Sequence, residues 1–186
     1  MEDRTCADRI TDSLDSHATS IAVMLNPSEE DIEIKDNGTL DTVVVVDDVY
    51  QESFSPDFVA DYREDNGEID LEQFRSDIFD EVREKLYDSF YDYALCFDYV
   101  SAVTDEDDYE RGYFRYQISW GGPSEEFRFY TDEHLNLTHT EYWFLDWFDG
   151  ASKTIGSTHE HYETVQMLWS QFKDSGTVDY LFQEAA

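Results

Sequence analysis

The sequence predicts an α+β protein in which amphipathic helices accompany an antiparallel sheet. Apolar residues recur with the spacing of a helix face near the start, in the middle and near the end of the chain. Between the last two of these segments, apolar and polar residues alternate as they do along a β-strand. Aromatic residues make up 16% and hydrophobic residues 40% of the chain, so it can form a core despite its acidity.

We expect the 186 residues to form a single acidic α+β domain with three parts. An N-terminal helix occupies residues 1–26, an acidic helical and loop part occupies 27–110, and a β-meander with a C-terminal helix occupies 111–186. Two cysteines, Cys6 and Cys96, fit neither a disulfide framework nor a zinc site.

The first helix is predicted over about residues 5–25. Ile10, Leu14 and Ala18 are spaced by four residues and form one apolar face. Pro27 ends the pattern, because proline cannot continue a helix.

The second helix, over about residues 71–96, follows a short β-branched run at residues 42–46 that predicts a strand. Asp70 is suited to cap this helix at its N-terminus. Its apolar face is predicted from residues at helical spacing, namely Leu71, Ile78, Val82, Leu86 and Phe90.

A three-stranded antiparallel meander is predicted over about residues 113–148. Phe114, Tyr116 and Trp120 share one face of its first strand, and we expect all three in the core. The third strand is very aromatic and is expected to run from residue 137 to 148.

A C-terminal helix is predicted over about residues 158–174. Ser157 and Glu160 have the spacing of a capping box at its start. Val165 and Trp169 face inward, and Gly176 lies just beyond its end.

The charge of the chain is extreme, with 45 acidic against 12 basic residues and a formal net charge of -33. Ion pairing within the chain cannot neutralise it, so most carboxylates must stay unpaired. Self-repulsion of this size costs stability, which suggests that the field serves a purpose. Two purposes are consistent with this charge: attraction of a cationic partner, and hydration of the protein in concentrated salt.

The second helix carries a row of carboxylates. At 100° per residue these acids lie within about 80° of one another, and they span roughly 22 Å of the axis. A row of this kind resembles one strand of DNA phosphates, which follow at about 3.4 Å. Its members are Asp77, Glu81, Glu84, Asp88 and Asp92. We expect further acids to extend this surface: Asp8, Asp12, Asp15, Asp105, Glu106, Asp107 and Asp108.

Several kinds of active or binding site are not supported. Residues 62–73 resemble a calcium-binding loop, but the first and last positions lack the required carboxylates. His159 and His161 lack the spacing of helical zinc ligands, so we expect surface histidines there. Asp146 and Asp149 suggest a metal-dependent nuclease only if a cationic path for nucleic acid is present, and none is evident. We expect no enzymatic activity, no catalytic residue, no cofactor and no metal.

The overall character of the chain resembles the acidic DNA-mimic anti-defence proteins of phages and mobile elements. The net charge, the size, the scarcity of lysine and the abundance of Tyr and Phe carry this resemblance to antirestriction proteins of the Ocr and ArdA kind and to several anti-CRISPR proteins. Residues 118–124 and 141–150 are also similar to small uncharacterised proteins of mobile elements. The resemblance implies inhibition by occupation of a DNA-binding site.

The sequence therefore predicts a DNA-mimic inhibitor of a host defence protein, with a restriction enzyme or CRISPR–Cas effector as its cationic partner. We expect it in the host cytoplasm, without direct binding to nucleic acid or membrane, since both surfaces are anionic. A homodimer is compatible with the sequence. Two alternatives remain: a salt-adapted domain from a halophile without mimicry, and an acidic antitoxin or chaperone-like partner of a basic protein.

Overall fold

The computed structural model describes residues 5–36, 42–47, 49–105 and 108–185, with only the backbone for residues 36, 103–105 and 108–110. The chain is α+β, as predicted. The α-helices in these ranges are α1 Cys6–Leu25, α2 Pro56–Val59, α3 Leu71–Tyr93, α4 Tyr162–Asp174 and α5 Thr177–Glu184. The strands are β1 Ile32–Asp36, β2 Thr42–Val46, β3 Tyr50–Phe54, β4 Cys96–Val100, β5 Val103–Asp105, β6 Asp108–Glu110, β7 Tyr113–Ser119, β8 Ser124–Thr131, β9 Leu137–Asp146 and β10 Asp149–Ile155.

The chain divides into two compact units. The first unit contains Met1–Ala18 and Tyr93–Ala186, and the second contains Thr19–Asp92. The expectation of a single domain stays a prediction, because a compact unit is not by itself an independent folding domain. Within the described residues, no helix combines the length and the apolarity needed to cross a membrane.

The core of the second unit lies between α3 and an antiparallel sheet of order β1-β2-β3. Phe74, Ile78 and Val82 of α3 are buried with Val44 and Val46 of β2. The predicted strand at 42–46 is confirmed. The neighbouring strands β1 and β3 were not predicted, because their acidic and polar residues hide the strand pattern.

Helix α3 begins as the sequence predicts and ends earlier. The backbone N–H of Gln73 donates to Oδ1 of Asp70 at 3.0 Å, so Asp70 is the N-cap. The predicted end at residue 96 is wrong. The N–H of Leu95 donates to the carbonyl of Gln117 at 2.8 Å, and Cys96 is paired with Gln117 in β4, so strand pairing replaces the last helical turn.

The first unit contains an antiparallel sheet of order β10-β9-β8-β7-β4. The predicted meander is its centre, β7-β8-β9, and one strand is added at each edge. The third strand ends at Asp146 and not at residue 148, because Trp147 and Phe148 form the turn into β10. Glycine and asparagine usually occupy such two-residue turns, so Trp147 and Phe148 carry no recognisable turn signal.

One face of this sheet is aromatic and lies against helices. Phe114 is paired with Phe129, and Phe127 with Tyr142, so their side chains share a face. The ring of Trp169 on α4 lies 5.5 Å from that of Phe114. An edge-to-face aromatic contact therefore joins α4 to the sheet, as the inward face of the predicted helix requires.

The placement of Trp120 in the core is wrong. Strand β7 ends at Ser119, and its register with β8 shifts between Gln117 and Ser119. The shift breaks the alternation that grouped Trp120 with Phe114 and Tyr116. The Trp120 side chain is 75% exposed.

The C-terminal region contains two helices where the sequence predicts one. Helix α4 begins at Tyr162 and not at residue 158, and no side chain caps it, so the predicted capping box of Ser157 and Glu160 is not formed. Backbone turns occupy residues 156–161. Gly176 adopts a left-handed φ of 79° and leads directly into α5.

Candidate protein-interaction surface

The carboxylate row of α3, defined as Asp77, Glu81, Glu84, Asp88 and Asp92, lies on one exposed face of that helix. All five residues are exposed, whereas the buried residues of the other face are Phe74, Ile78, Val82, Leu86 and Phe90. The sequence therefore placed the row correctly on the solvent side. The expectation that Leu71 belongs to this buried face is wrong, because Leu71 is the first residue of the helix and is 43% exposed.

Few groups within the protein engage the row. Nε2 of Gln73 donates to Oδ1 of Asp77 at 2.7 Å, and Nζ of Lys85 lies 2.8 Å from Oε1 of Glu81. Within the described ranges, Glu84, Asp88 and Asp92 form no ion pair. Most of the negative charge of the row is thus available to an external partner.

Lys85, the cation beside the row, is held by the sheet. Its Nζ lies 2.7 Å from both carboxylate oxygens of Glu52 on β3. Hydrogen bonds to Glu52 and Glu81 raise the pKa of Lys85 despite its partial burial. Burial acts to raise the pKa of Glu52, but hydrogen bonds from Lys85 and Tyr50 outweigh it and lower this pKa. Lys85 therefore remains charged and directed toward Glu52.

Two tyrosines flank the last turns of the row. The hydroxyl oxygens of Tyr87 and Tyr91 are 3.0 Å apart, and their rings meet edge to face at 5.5 Å. The hydrogen bond with Tyr87 raises the pKa of Tyr91. Both rings are exposed and can contact a partner beside the carboxylates.

A depression of about 560 Å³ opens next to the row in the same unit. Met24, Leu25 and Pro27 line it from the end of α1, and Glu84 and Tyr87 line it from α3. Apolar and anionic groups thus meet at one place. Asp80 and Arg83 also line the depression and form an ion pair with each other, at 2.9 Å. Glu84 is then the acid of this lining that remains for the charged head of a long cationic side chain, and the apolar residues suit its stem.

The acids of α1 belong to the first unit and serve partly internal roles. Oδ2 of Asp8 accepts a hydrogen bond from the N–H of Thr5 at 3.0 Å, which caps the helix. Oδ1 of Asp15 lies 2.9 Å from Nε2 of His161, and Asp15 is half-buried. Asp12 is exposed. We therefore treat these acids separately from the carboxylate row.

The acidic stretch at residues 105–108 lies largely outside the described residues. Asp105 and Asp108 are backbone partners in the two-stranded β5-β6 sheet. The side chains of Asp105, Glu106, Asp107 and Asp108 are not among those described. Their expected part in the acidic surface stays a prediction.

A polar cluster in the first unit joins α1 to β8 beside a pocket of about 400 Å³. Glu125 lies 3.4 Å from Nε2 of His17, and it accepts hydrogen bonds from the hydroxyls of Ser13 and, at 3.0 Å, Tyr142. Burial acts to raise the pKa of Glu125, but His17, Ser13 and Tyr142 outweigh it and lower this pKa to about 2. These contacts link α1 to β8 through the carboxylate of Glu125.

The turn between β9 and β10 exposes two large aromatic side chains. Trp147 is 84% exposed, and Phe148 is fully exposed. Trp147 has a left-handed φ of 43°, a conformation that is strained for a bulky residue. An exposed tryptophan held at a conformational cost is a candidate contact residue.

Sequence patterns predicted the carboxylate row but not the depression beside it or the polar cluster around Glu125. The carboxylate row follows from spacing within a single helix, and sequence periodicity detects it directly. Ser13 and Glu125, in contrast, are brought together by tertiary structure, and no local pattern connects them. The depression likewise combines residues at the end of α1 with residues of α3, and no local pattern connects the two.

Comparison with known proteins gives no match: no family model, no curated protein sequence and no solved structure matches this chain.

Proposed function

We propose that the protein is a non-catalytic inhibitor whose carboxylates occupy the cationic DNA-binding site of a host defence protein, such as a restriction enzyme or a CRISPR–Cas effector. The exposed and mostly unpaired carboxylate row of α3 carries this proposal. The net charge of -33 gives the row the long-range field that attracts such a partner.

The spacing of the row supports contact with groups that bind phosphates. Successive carboxylates follow at about 4.5 to 6 Å along the helix axis, and DNA phosphates follow at about 3.4 Å along one strand. The row is sparser than the phosphates of one DNA strand. Flexible Lys and Arg side chains of a DNA-binding groove can adjust to this difference.

The binding free energy would come largely from the release of counterions. A helix face with five adjacent acids gathers cations from solution, and a cationic groove gathers anions. Contact between the two releases both, as happens when a protein binds DNA. Affinity should therefore fall steeply as the salt concentration rises.

Aromatic and apolar groups beside the row add contacts that salt does not screen. Tyr87 and Tyr91 can stack on arginine, and the depression between α1 and α3 accepts an aliphatic stem. Such contacts distinguish a binding surface from a helix face that is only hydrated, because exposed aromatic rings do not contribute to hydration.

Affinity capture tests the proposal. The full chain is immobilised, host extract is applied at low salt, and bound proteins are eluted either with duplex DNA or with sodium chloride at the same ionic strength. The proposal predicts that duplex DNA elutes partners more effectively and that these partners bind DNA. Partners that do not bind DNA would instead identify an acidic antitoxin or chaperone-like protein and contradict mimicry.

Salt adaptation is the second candidate, and the distribution of acids over both units favours it. Exposed carboxylates such as Glu29, Glu133 and Asp174 lie far along the chain from the row. Circular dichroism followed from molar salt to low salt separates the candidates. A purely salt-adapted protein unfolds at low salt, whereas an inhibitor acting in an ordinary cytoplasm keeps its structure.

A further inference from the structure

We propose that Asp15, Glu160 and His161 form a binding site for a divalent transition-metal ion of the zinc type in the first unit. One ligand atom from each of the three side chains lies within 4.8 Å of the other two. Asp15 comes from α1, and Glu160 and His161 come from the turn before α4. This site does not depend on the proposed inhibitory function.

The geometry of the cluster is close to that of a metal site. Nε2 of His161 lies 2.9 Å from Oδ1 of Asp15. Ligand atoms at about 2.0 to 2.2 Å from a tetrahedral zinc ion are about 3.3 to 3.6 Å apart, so these two atoms need to separate by only about 0.5 Å to hold the ion. Small rotations of Glu160, which is exposed, bring the third ligand to the same centre.

The surrounding structure holds the two ligand-bearing segments in place. Leu14 and Ala18 are fully buried on either side of Asp15. The N–H of Val165 donates to the carbonyl of His161 at 3.1 Å, which fixes His161 at the start of α4. The His161 side chain is only 15% exposed, so the expectation of a surface histidine is wrong for this residue. A site that is held in place before the metal arrives binds more tightly.

The charges of the cluster also suit a divalent cation. Two carboxylates and a neutral imidazole carry a charge of about -2, which one divalent ion balances. No Lys or Arg in the described part of the chain forms an ion pair with Asp15 or Glu160. The mixture of imidazole and carboxylate ligands favours zinc, cobalt or nickel over magnesium and calcium, which prefer oxygen ligands alone.

The sequence could not reveal this site, because His159 and His161 alone lack the spacing of a metal pair. The missing ligand, Asp15, comes from the other end of the chain. His159 is not part of the cluster, and its Nδ1 accepts a hydrogen bond from the N–H of His161 at 3.2 Å. Three protein ligands leave one coordination position for water.

Metal titration of the full chain tests the site. Zinc chloride is titrated by calorimetry with excess magnesium present, which saturates unspecific carboxylate binding. Cobalt chloride is added in parallel to record the visible absorption of a four-coordinate ion. We expect one equivalent of zinc to bind, with a cobalt band that zinc abolishes. Binding of many weak equivalents, or none once magnesium is present, would overturn the proposal.

Substitutions locate the ion. His161→Gln, Asp15→Asn and Glu160→Gln should each lower zinc affinity by about 100-fold or more, since even outer residues of metal sites contribute about 10- to 100-fold. His159→Gln and Glu163→Gln are matched controls in the same segment and should bind as the unmodified chain does. Equal affinity in Asp15→Asn, or an equal loss in His159→Gln, would overturn the assignment. If His161→Gln fails to fold, the two nearly isosteric carboxylate variants decide the question.

Discussion

Arg128 and Glu126, two residues apart on β8, form a buried ion pair on the face of the sheet opposite to α4. Nε of Arg128 lies 2.6 Å from Oε1 of Glu126, and the side chains are only 10% and 4% exposed. The guanidinium also lies between two rings, 4.6 Å from the centre of Tyr113 and 4.0 Å from that of Trp143. Aromatic side chains therefore cover a charge pair on a face where alternation alone predicts solvent.

Removal of one member of this pair should destabilise the fold strongly. Arg128→Met or Glu126→Leu leaves an uncompensated buried charge, which costs about 3 to 5 kcal/mol. The double variant should lose much less, because no unpaired charge remains and methionine packs well between rings. Urea unfolding of the four proteins measures the coupling.

The neighbouring pair of Arg115 and Asp98 provides a control. Nη2 of Arg115 lies 2.6 Å from Oδ2 of Asp98, but the two side chains are 23% and 38% exposed. Single substitutions there should cost about 1 kcal/mol or less. Destabilisation of the buried double variant by the full sum of its single variants would show that Arg128 and Glu126 do not act as a pair.

Glu125 should make stability depend on pH in the acidic range. Its pKa is about 2 in the folded protein, below its ordinary value of 4.5. A depressed pKa stabilises the folded state above the ordinary value, and that stabilisation is lost as the pH falls toward the folded value. Glu125→Gln should therefore be less stable than the unmodified chain above pH 4.5, and the difference should vanish near pH 2.

The difference between the two proteins is the quantity to measure, because protonation of many other acids changes the total stability as well. Chemical unfolding at a series of pH values provides it. A difference that stays constant over this range would show that Glu125 does not bind its partners more tightly when ionised.

Trp147 should be a position where substitution stabilises the fold. Its left-handed backbone costs about 1 to 2 kcal/mol for an L-residue other than glycine, and its side chain is 84% exposed. Trp147→Gly should raise the melting temperature, because glycine adopts this conformation without strain. Phe148→Gly, at the neighbouring position without a left-handed φ, should not. A loss of stability in Trp147→Gly would show that the indole makes a necessary contact.

Lys85 should stabilise the second unit through two carboxylates at once. Lys85→Met removes the cation shared by Glu52 and Glu81 and should cost about 1 kcal/mol, at the upper end for partly exposed pairs. Lys35→Met is the control, since its pair with Glu33 is 55% and 65% exposed and should contribute almost nothing. Equal effects of the two substitutions in thermal unfolding would contradict the role assigned to Lys85.

The sequence predicted what is local and missed what is long-range. The fold class, the three predicted helices and the meander follow from periodicity, because each pattern lies within one segment. The edge strands β4 and β10 were missed, since Cys96–Val100 continues a helical pattern and Asp149–Ile155 is mostly polar. Both segments become strands because they pair with neighbouring strands of the sheet.

The same division applies to the candidate sites. The carboxylate row is a property of one helix, so spacing was enough to place it. The burial of Arg128 could not be predicted from alternation along β8, because it depends on rings from two other strands. The proximity of Asp15 to His161 likewise depends on the packing of α1 near the start of α4.

The affinity of a captured partner for a row-neutralised variant tests the central claim most directly. Four members of the row that lack an ion pair with Lys85 are changed to amides: Asp77→Asn, Glu84→Gln, Asp88→Asn and Asp92→Asn. A control variant loses the same charge at exposed sites of the first unit: Glu133→Gln, Glu163→Gln, Asp174→Asn and Glu184→Gln. The dissociation constant is measured over a range of salt concentrations, with circular dichroism as a check on folding.

We predict that the row variant loses affinity by at least about tenfold and that its salt slope falls by about 3 to 4, close to one for each lost contact. The control variant should change little in either quantity. Equal losses in the two variants would show that total charge, and not the row on α3, determines binding, and would contradict the proposed mechanism.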